Sequence, residues 1–293
     1  MLTKLWPREN ADAVGVSRRN DARESLFRYA GAGLEDVQPC SGGTFSLCLT
    51  ARWEGRARFF KTVFGDGAEA SLSREVDFLR ATTGKRTDAS LFQCESAGCT
   101  DYWLVMNQLE PSTGLLPAQV RAVVAGYDRT FRATHLGSAI PGNCDISLLL
   151  AEAEHAVNEL HEDQQLSREV SLLVHRCLAQ LRKDEGQWSR SICHGDLGPA
   201  NLMEDPDGVV VVDWEDAIWA PSGYDYLYWV TFLTNRRWLV KEELNVTGLG
   251  LRTEIALMVM IVLLKSVIGV RSKASATYTI GINERLSEIF NLA

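Results

Sequence analysis

No uninterrupted apolar run in this sequence reaches the length of a bilayer span. The longest, "IALMVMIVLL" from Ile255 to Leu264, stops at Lys265 after about half of the ~20 residues that a spanning helix needs, so a helix buried in the core is expected there. Basic charge is also short: 30 lysines and arginines face 38 aspartates and glutamates, a formal net charge of −8 and a pI near 5.3. That balance argues against nucleic acid or an anionic membrane as the main partner, since both attract basic patches, and it favours a cationic or neutral ligand. Proline is scarce, 8 residues against 23 glycines, which leaves no room for a long disordered tract. The first residues, "MLTKLWPREN", carry no apolar stretch of signal length. The seven cysteines are odd in number and scattered (Cys40, Cys48, Cys94, Cys99, Cys144, Cys177, Cys193), a poor disulfide framework, so reduced thiols and a cytoplasmic location are expected. Cys94 and Cys99 lack a second Cys/His pair at metal-ligand spacing. No internal repeat or low-complexity segment is present.

What the sequence does hold is a change of period. Between about Gln38 and Gln108, "FSLCLTARW", "ARFFKTVF" and "YWLVMNQL" read as strands. One helix interrupts them, "GAEASLSREVDFLRAT", with Leu72, Val76 and Leu79 at helical spacing. After Glu110 the turn-rich "PSTGLLP" reads as a hinge. Beyond it, Pro117 suits a first helical position and is followed by Val120, Val123, Val124, Tyr127 and Phe131 on one stripe. Leu148 to Leu160 and Val170 to Leu181 read as two further, antiparallel helices. "LMED" and "GVVVVD" flank "PDG" as a hairpin set among the helices, and "YDYLYWVTFL" resumes the helical pattern. The expected fold class is α+β, with a strand-rich lobe over 1–110 carrying one key helix and a larger helical lobe over 111–293. A ligand is expected in the cleft between them.

The chemistry concentrates in "SICHGDLGPANLMEDPDGVVVVDWEDA", Ser191 to Ala217. A loop followed by a hairpin returns the chain so that Asp213 can lie close to Asn201. Two carboxylates and an amide, Asp196, Asn201 and Asp213, are oxygen ligands of the kind that suits Mg²⁺, which takes one or two protein groups and completes its shell with substrate phosphates. Phosphoryl transfer needs such a metal and a group that orients the attacking hydroxyl, a role open to Asp196. Each residue alone reads more readily as a turn former or a strand end. The order and spacing of the three together favour the catalytic reading.

"HGDLGPANL" followed by "VVVVDWEDA" resembles the catalytic loop and metal-binding segment of the aminoglycoside phosphotransferase and choline kinase family, relatives of the protein kinases with their H-R-D-x-x-x-x-N and D-F-G segments. Trp214 and Glu215 stand where Phe and Gly would be, and Gly195 marks the small-molecule branch. The resemblance implies a bilobal kinase-like fold over nearly the whole chain. It makes Asp196 the base or hydroxyl-orienting group, Asn201 and Asp213 the Mg²⁺ ligands, and His194 a brace of the loop.

The resemblance also predicts a lysine on the third strand and a glutamate on the next helix. Lys61 in "RFFKTVF" and Glu75 in "SREVDFL" match, with Glu69 and Asp77 as neighbouring alternatives to Glu75 and a solvated strand lysine as the plain reading of Lys61. The phosphate-covering loop falls on "CSGGTFS", with Ser41, Gly42, Gly43 and Thr44. It departs from G-x-G-x-x-G, and by itself reads equally as a hairpin turn. The base of ATP, or of GTP, is expected against the backbone from Met106 to Gln108. His135 and Asp225 fall in segments the family carries as structure, Asp225 bracing the catalytic loop from a helix.

The family phosphorylates hydroxyls of small molecules such as aminoglycosides, choline, homoserine and sugars. Asp145, Glu152, Glu154, Glu159, Glu162 and Asp163 accumulate where no lysine or arginine occurs, either a wall that attracts an amine-bearing acceptor or a solvated helix face. Trp214, Trp219, Tyr224 and Trp229 suit a cation box, although such residues are more often core packing. A protein substrate is disfavoured, since only "EDAIWAPSG" separates Asp213 from the next helix. The expectation is a small-molecule kinase, monomeric or homodimeric, with metabolite phosphorylation or nucleotide binding without catalysis as alternatives.

Overall fold

Aromatic and β-branched residues of the first third pair as an antiparallel sheet in the computed structural model, which describes residues 16–40, 46–96, 98–134, 136–142, 144–271 and 280–293. The described residues divide into two compact units, one drawn from 16–112 and 200–215, the other from 113–199 and 216–293. The fold is α+β, with a sheet-based N-terminal part and a helical C-terminal part.

In the first unit, helix α1 (Val16–Ala30) precedes β1 (Leu34–Pro39), β2 (Ser46–Trp53) and β3 (Arg56–Val63). Helix α2 (Ala68–Thr83) follows, then β4 (Ser90–Ser96) and β5 (Cys99–Asn107), and the sheet order is β1-β2-β3-β5-β4. Alternation along β3 sends neighbouring side chains to opposite faces. Phe60 packs with Ala22 and Leu26 of α1 and with Leu49, Trp103 and Val105. Lys61 therefore faces the other side, where α2 lies with Leu72, Val76, Phe78 and Leu79 almost wholly buried. Helix α1 is invisible to periodicity, because charged residues crowd it and only Ala22, Ser25 and Leu26 are buried.

The expected hairpin forms as β8 (Leu202–Asp205) and β9 (Gly208–Val211). It groups with the sheet unit and not with the helices. The reason is pairing: β6 (Glu110–Pro111) adds to β8, Arg86 bridges to Asp205, and Trp214 stacks on Phe78 of α2 at 5.2 Å between ring centroids.

The second unit begins with α3 (Pro117–Arg132), with Pro117 in its first turn and Val120, Val124, Tyr127 and Phe131 buried. Helix α4 (Ile146–Glu162) is capped by Asp145, whose side chain accepts the Ser147 N–H at 3.0 Å. Helix α5 (Arg168–Asp184) is capped by Ser167, which accepts the Val170 N–H at 3.2 Å. Strand β7 (Arg190–Cys193) pairs with β10 (Ile218–Pro221), placing Cys193 opposite Ile218. Helix α6 (Tyr224–Val230) is buried at every residue and shorter than "YDYLYWVTFL" suggested. Its open C-terminal carbonyls are taken by side chains, Lys265 at Tyr228 O (2.9 Å) and Asn235 at Trp229 O (2.8 Å).

Helix α7 (Leu251–Arg271) contains the apolar run and is long and apolar enough to cross a membrane by composition. It packs instead against α4, α5, α6 and the last helix, α8 (Ile282–Phe290), with Ile255 to Leu264 no more than 5% exposed.

Candidate active site

Strand β7 delivers a loop whose shape demands glycine. Gly195 has φ +81°, and a Cβ there would lie 2.1 Å from the carbonyl oxygen of Asp216, closer than any non-bonded contact allows. Gly195→Ala is thus expected to lower the melting temperature by several degrees, since positive-φ strain alone costs about 1–3 kcal/mol before the clash is counted. A differential scanning melt checks this, and an unchanged midpoint would mean the loop has another route.

Behind the loop stands Asp225 of α6, wholly buried. Its carboxylate accepts the backbone N–H of His194 at 2.7 Å and of Gly195 at 3.0 Å, and the Tyr127 hydroxyl at 2.5 Å. Burial raises the pKa of Asp225, opposed by the nearby His194 and by these donors. Three donors are what a buried carboxylate needs, so Asp225 braces the loop as expected of it. His194 is also fully buried, and its Nδ1 accepts the Asp196 N–H at 3.3 Å.

Asp196 is 8% exposed, and its Oδ1 accepts the Tyr228 hydroxyl. The loop then tightens, Gly198 N–H reaching Asp196 O at 2.7 Å, and passes under the Phe232 ring, 2.9 Å from where a Gly198 Cβ would sit. It ends in a 3₁₀ turn, Pro199–Asn201. Asn201 accepts the Val212 N–H through its backbone oxygen at 3.1 Å, which ties it to the end of β9 one residue before Asp213.

The sheet unit holds a charge cluster. Lys61, 6% exposed in its side chain, donates to Glu75 Oε2 at 2.8 Å and to Asp213 Oδ1, and lies 3.6 Å from Glu215 Oε2. Glu75 also accepts the backbone N–H of Asp213 at 3.1 Å. Of the three glutamate-helix candidates only Glu75 is buried, while Glu69 and Asp77 are exposed. Asp213 has φ +69°, a left-handed conformation uncommon for a residue other than glycine. Trp214 pins this turn, stacking on Phe78 and donating from Nε1 to Val211 O at 2.9 Å.

Burial alone would lower the pKa of Lys61, yet the charges of Asp213, Glu75 and Glu215 carry it well above its ordinary value. Burial raises that of Glu75, and Asp213 and Glu215 add to it against the pull of Lys61. A single ammonium is shared among three carboxylates: their charges hold it protonated, and burial with the neighbouring charges of Asp213 and Glu215 lifts Glu75. The cluster has formal negative charge to spare, and Asp213, 38% exposed, is its open edge.

Among the described residues no three His, Cys, Asp or Glu side chains are arranged to close round a metal ion. The expected Mg²⁺ does not need them. It takes few protein ligands, all oxygen, with phosphates and water completing the shell, and the Asn201 amide and Asp213 carboxylate beside excess negative charge fit that demand.

The register pairs Lys61 with Leu104 and Phe59 with Met106. Cross-strand partners share a face, so Met106 lies on the Lys61 side of the sheet, buried, while Gln108 is exposed and donates its N–H to Ala57 O at 3.1 Å. Ser41, Gly42, Gly43, Thr44 and His135 lie outside the described residues.

Two substrate readings change. Half of the acidic stretch is partnered: Asp145 pairs with Arg190, Glu154 with Arg182 and Glu159 with Arg271 at 2.6–3.0 Å, arginines that lie outside the stretch. The aromatic set forms no box. Trp214, Tyr224 and Trp229 are buried, and Trp219 packs over Gly137.

Tyr228 and Lys265 are not singled out by the sequence, and Glu215 is read there only beside Asp213 and as part of an acidic surface, not as a partner of Lys61. Tyr228 had one signal, its position three residues after Asp225 on the same helix face.

Compared with known proteins, the sequence matches the phosphotransferase enzyme family over residues 36–244. A comparison with curated proteins finds no match. Among solved structures, a thermostable mutant of aminoglycoside phosphotransferase APH(4)-Ia in ternary complex with ADP and hygromycin B aligns at TM-score 0.62 and 16% identity, over 92% of this chain and 98% of that one. Amicoumacin kinase hAmiN, in complex with AMP-PNP, Ca²⁺ and Ami, aligns at 0.60 and 13%, over 94% of each chain. A choline/ethanolamine kinase family protein from Mesorhizobium loti aligns at 0.58 and 12%, over 94% of this chain and 92% of that one. At such identities the likeness is one of fold.

Proposed function

Because the chain belongs to the phosphotransferase enzyme family and is a small-molecule kinase by that membership, we propose that it moves the γ-phosphoryl group of ATP, in the presence of Mg²⁺, to a hydroxyl of a small amine-bearing acceptor. The cluster round Lys61 carries this reading: one buried ammonium among Glu75, Asp213 and Glu215. A lysine held this way on a strand is a fixed cation for nucleotide phosphates, aimed by the glutamate behind it. Asn201 and Asp213 would hold Mg²⁺, which neutralises charge on the phosphates when bound.

Asp196 accepts a hydrogen bond from the acceptor hydroxyl, orients its oxygen toward the phosphoryl group and receives its proton as the new P–O bond forms and the bond to the leaving diphosphate breaks. Orientation supplies most of the acceleration, since little covalent work falls to the protein. Asp225 and His194 hold the loop that carries Asp196.

The amine preference is supported by the net charge of −8 and by the small molecules bound in structurally similar proteins, hygromycin B and Ami. Transfer of radiolabel from γ-labelled ATP to hygromycin B, spectinomycin, choline, homoserine and glucose, separated by thin-layer chromatography, tests it. A labelled amine-bearing product supports the proposal. Label on glucose alone would reject the amine preference and leave the kinase.

A further inference from the structure

Helix α7 is apolar throughout its middle, and Lys265 breaks it at a place where solvation would be the ordinary fate of an ammonium. The Nζ turns inward instead. It lies 3.7 Å from the centroid of the Tyr228 ring and 3.6 Å from that of Phe232, and donates to Tyr228 O at 2.9 Å and Thr231 Oγ1 at 2.8 Å. The two rings meet edge to face at 5.7 Å. A half-buried cation held between two aromatic faces and two oxygens is bound firmly. It holds them in return, so the Tyr228 ring has no freedom to swing.

The far end of that ring touches the catalytic loop. Tyr228 is 3% exposed, and its hydroxyl donates to Oδ1 of Asp196. Phe232 packs on Gly198, two residues further along the same loop. Lys265, Tyr228 and Asp196 thus form one line from α7 through α6 to the loop.

We propose that Tyr228 and Lys265 are positioning residues for phosphoryl transfer: the Tyr228 hydroxyl fixes the rotation of the Asp196 carboxylate, and the Lys265 ammonium fixes Tyr228. This rests on the reading of Asp196 as the group that orients the acceptor hydroxyl. Burial, with the negative charge of Asp196 added, raises the pKa of Tyr228 well above its ordinary value, so the phenol remains a donor throughout any working pH range. A carboxylate free to rotate presents its lone pairs to the hydroxyl for only part of the time. One held at Oδ1 presents a single arrangement, and that gain appears in turnover and not in binding.

The test is steady-state ADP release from Mg·ATP by the full chain, with whichever of hygromycin B, spectinomycin, choline and homoserine stimulates most, or with water as acceptor where none does. Tyr228→Phe keeps the ring and its contacts and removes only the hydroxyl. Its turnover number is expected to fall about 10–100-fold, in the range found when an orienting hydrogen bond is lost, with KM for ATP within about twofold of wild type. Lys265→Met keeps the stem and removes the charge. It is expected to lower turnover less, and to add nothing in the Tyr228→Phe background, because both act on Asp196 through the same hydroxyl. Full turnover in folded Tyr228→Phe, or additive losses in the double variant, would overturn the inference. So would losses confined to the melting temperature. Were Tyr228→Phe not to fold, an unchanged turnover number in Lys265→Met would reject the proposal by itself. Asp196→Asn separates this from the underlying reading: if that variant turns over normally the reading of Asp196 fails, whereas an inactive Asp196→Asn beside a fully active Tyr228→Phe sinks the positioning role alone.

Discussion

Asp196→Asn is expected to lower the turnover number about a thousandfold, within the ~10²–10⁴ that a positioned proton acceptor contributes, while nucleotide affinity stays within about threefold of wild type. Asparagine is the informative substitution. Its amide oxygen can still accept the Tyr228 hydroxyl, so the buried phenol keeps its partner, but an amide cannot take the acceptor's proton. Asp196→Ala is expected to be equally inactive and also less stable by about 1–3 kcal/mol, the usual loss when a buried donor is left unpaired. Turnover by stopped assay, nucleotide affinity by calorimetry and a thermal melt separate the two effects. An Asn variant retaining most of its turnover would remove Asp196 from the chemistry.

Asp213→Asn is expected to act at the other end of the reaction. Asparagine tolerates the left-handed backbone at this position and keeps the size of the side chain, so the variant should fold. It removes one of the three carboxylates round Lys61 and the open edge of the cluster. Two results follow. Without metal, the variant is expected to melt no lower than wild type, because a repulsion among Glu75, Asp213 and Glu215 is relieved. With Mg·ATP, the rise in melting temperature seen for wild type is expected to be largely lost, and affinity for the metal–nucleotide complex to fall at least about 100-fold, beyond what the loss of a mere supporting group brings. A scan of melting temperature against Mg·ATP concentration reads both. If Asp213→Asn gained as much stability from Mg·ATP as wild type does, the metal would be held elsewhere.

How much of this was legible in the sequence varies by residue. Lys61, Glu75 and Asp213 are far apart in the chain but each carries a local signal, a lysine between apolar strand residues, a glutamate on an amphipathic helix and an aspartate closing a hairpin. The structure brings those three together. Asp225 was readable as a brace because it follows the hairpin on a recognisable segment. Lys265 was not. Its meaning depends on two aromatic rings more than thirty residues upstream, and no pattern within α7 points to them.

The acidic stretch shows the reverse failure. Six carboxylates with no nearby cation look like a field in sequence, but Arg182, Arg190 and Arg271 arrive from outside the stretch and neutralise half of them. Charge patterning in one dimension cannot count partners supplied by tertiary folding. Helix α1 was hidden for a related reason, since three small or apolar contacts are enough to seat it on the sheet and too few to make a period. The hairpin is legible along the chain but its pairing is not, because its two-residue partner strand β6 lies in a segment that reads as a turn.

The claim on which the rest depends is that this chain transfers phosphate from a nucleotide to a small-molecule hydroxyl through Asp196. Its most direct test is ADP release in the presence and absence of Mg²⁺ across the panel of aminoglycosides, choline, homoserine and sugars, run side by side for wild type and Asp196→Asn. Release is expected to require Mg²⁺, to rise at least about tenfold with one class of acceptor, and to disappear in the variant. Release that no acceptor stimulates, or that survives in Asp196→Asn, would contradict that claim.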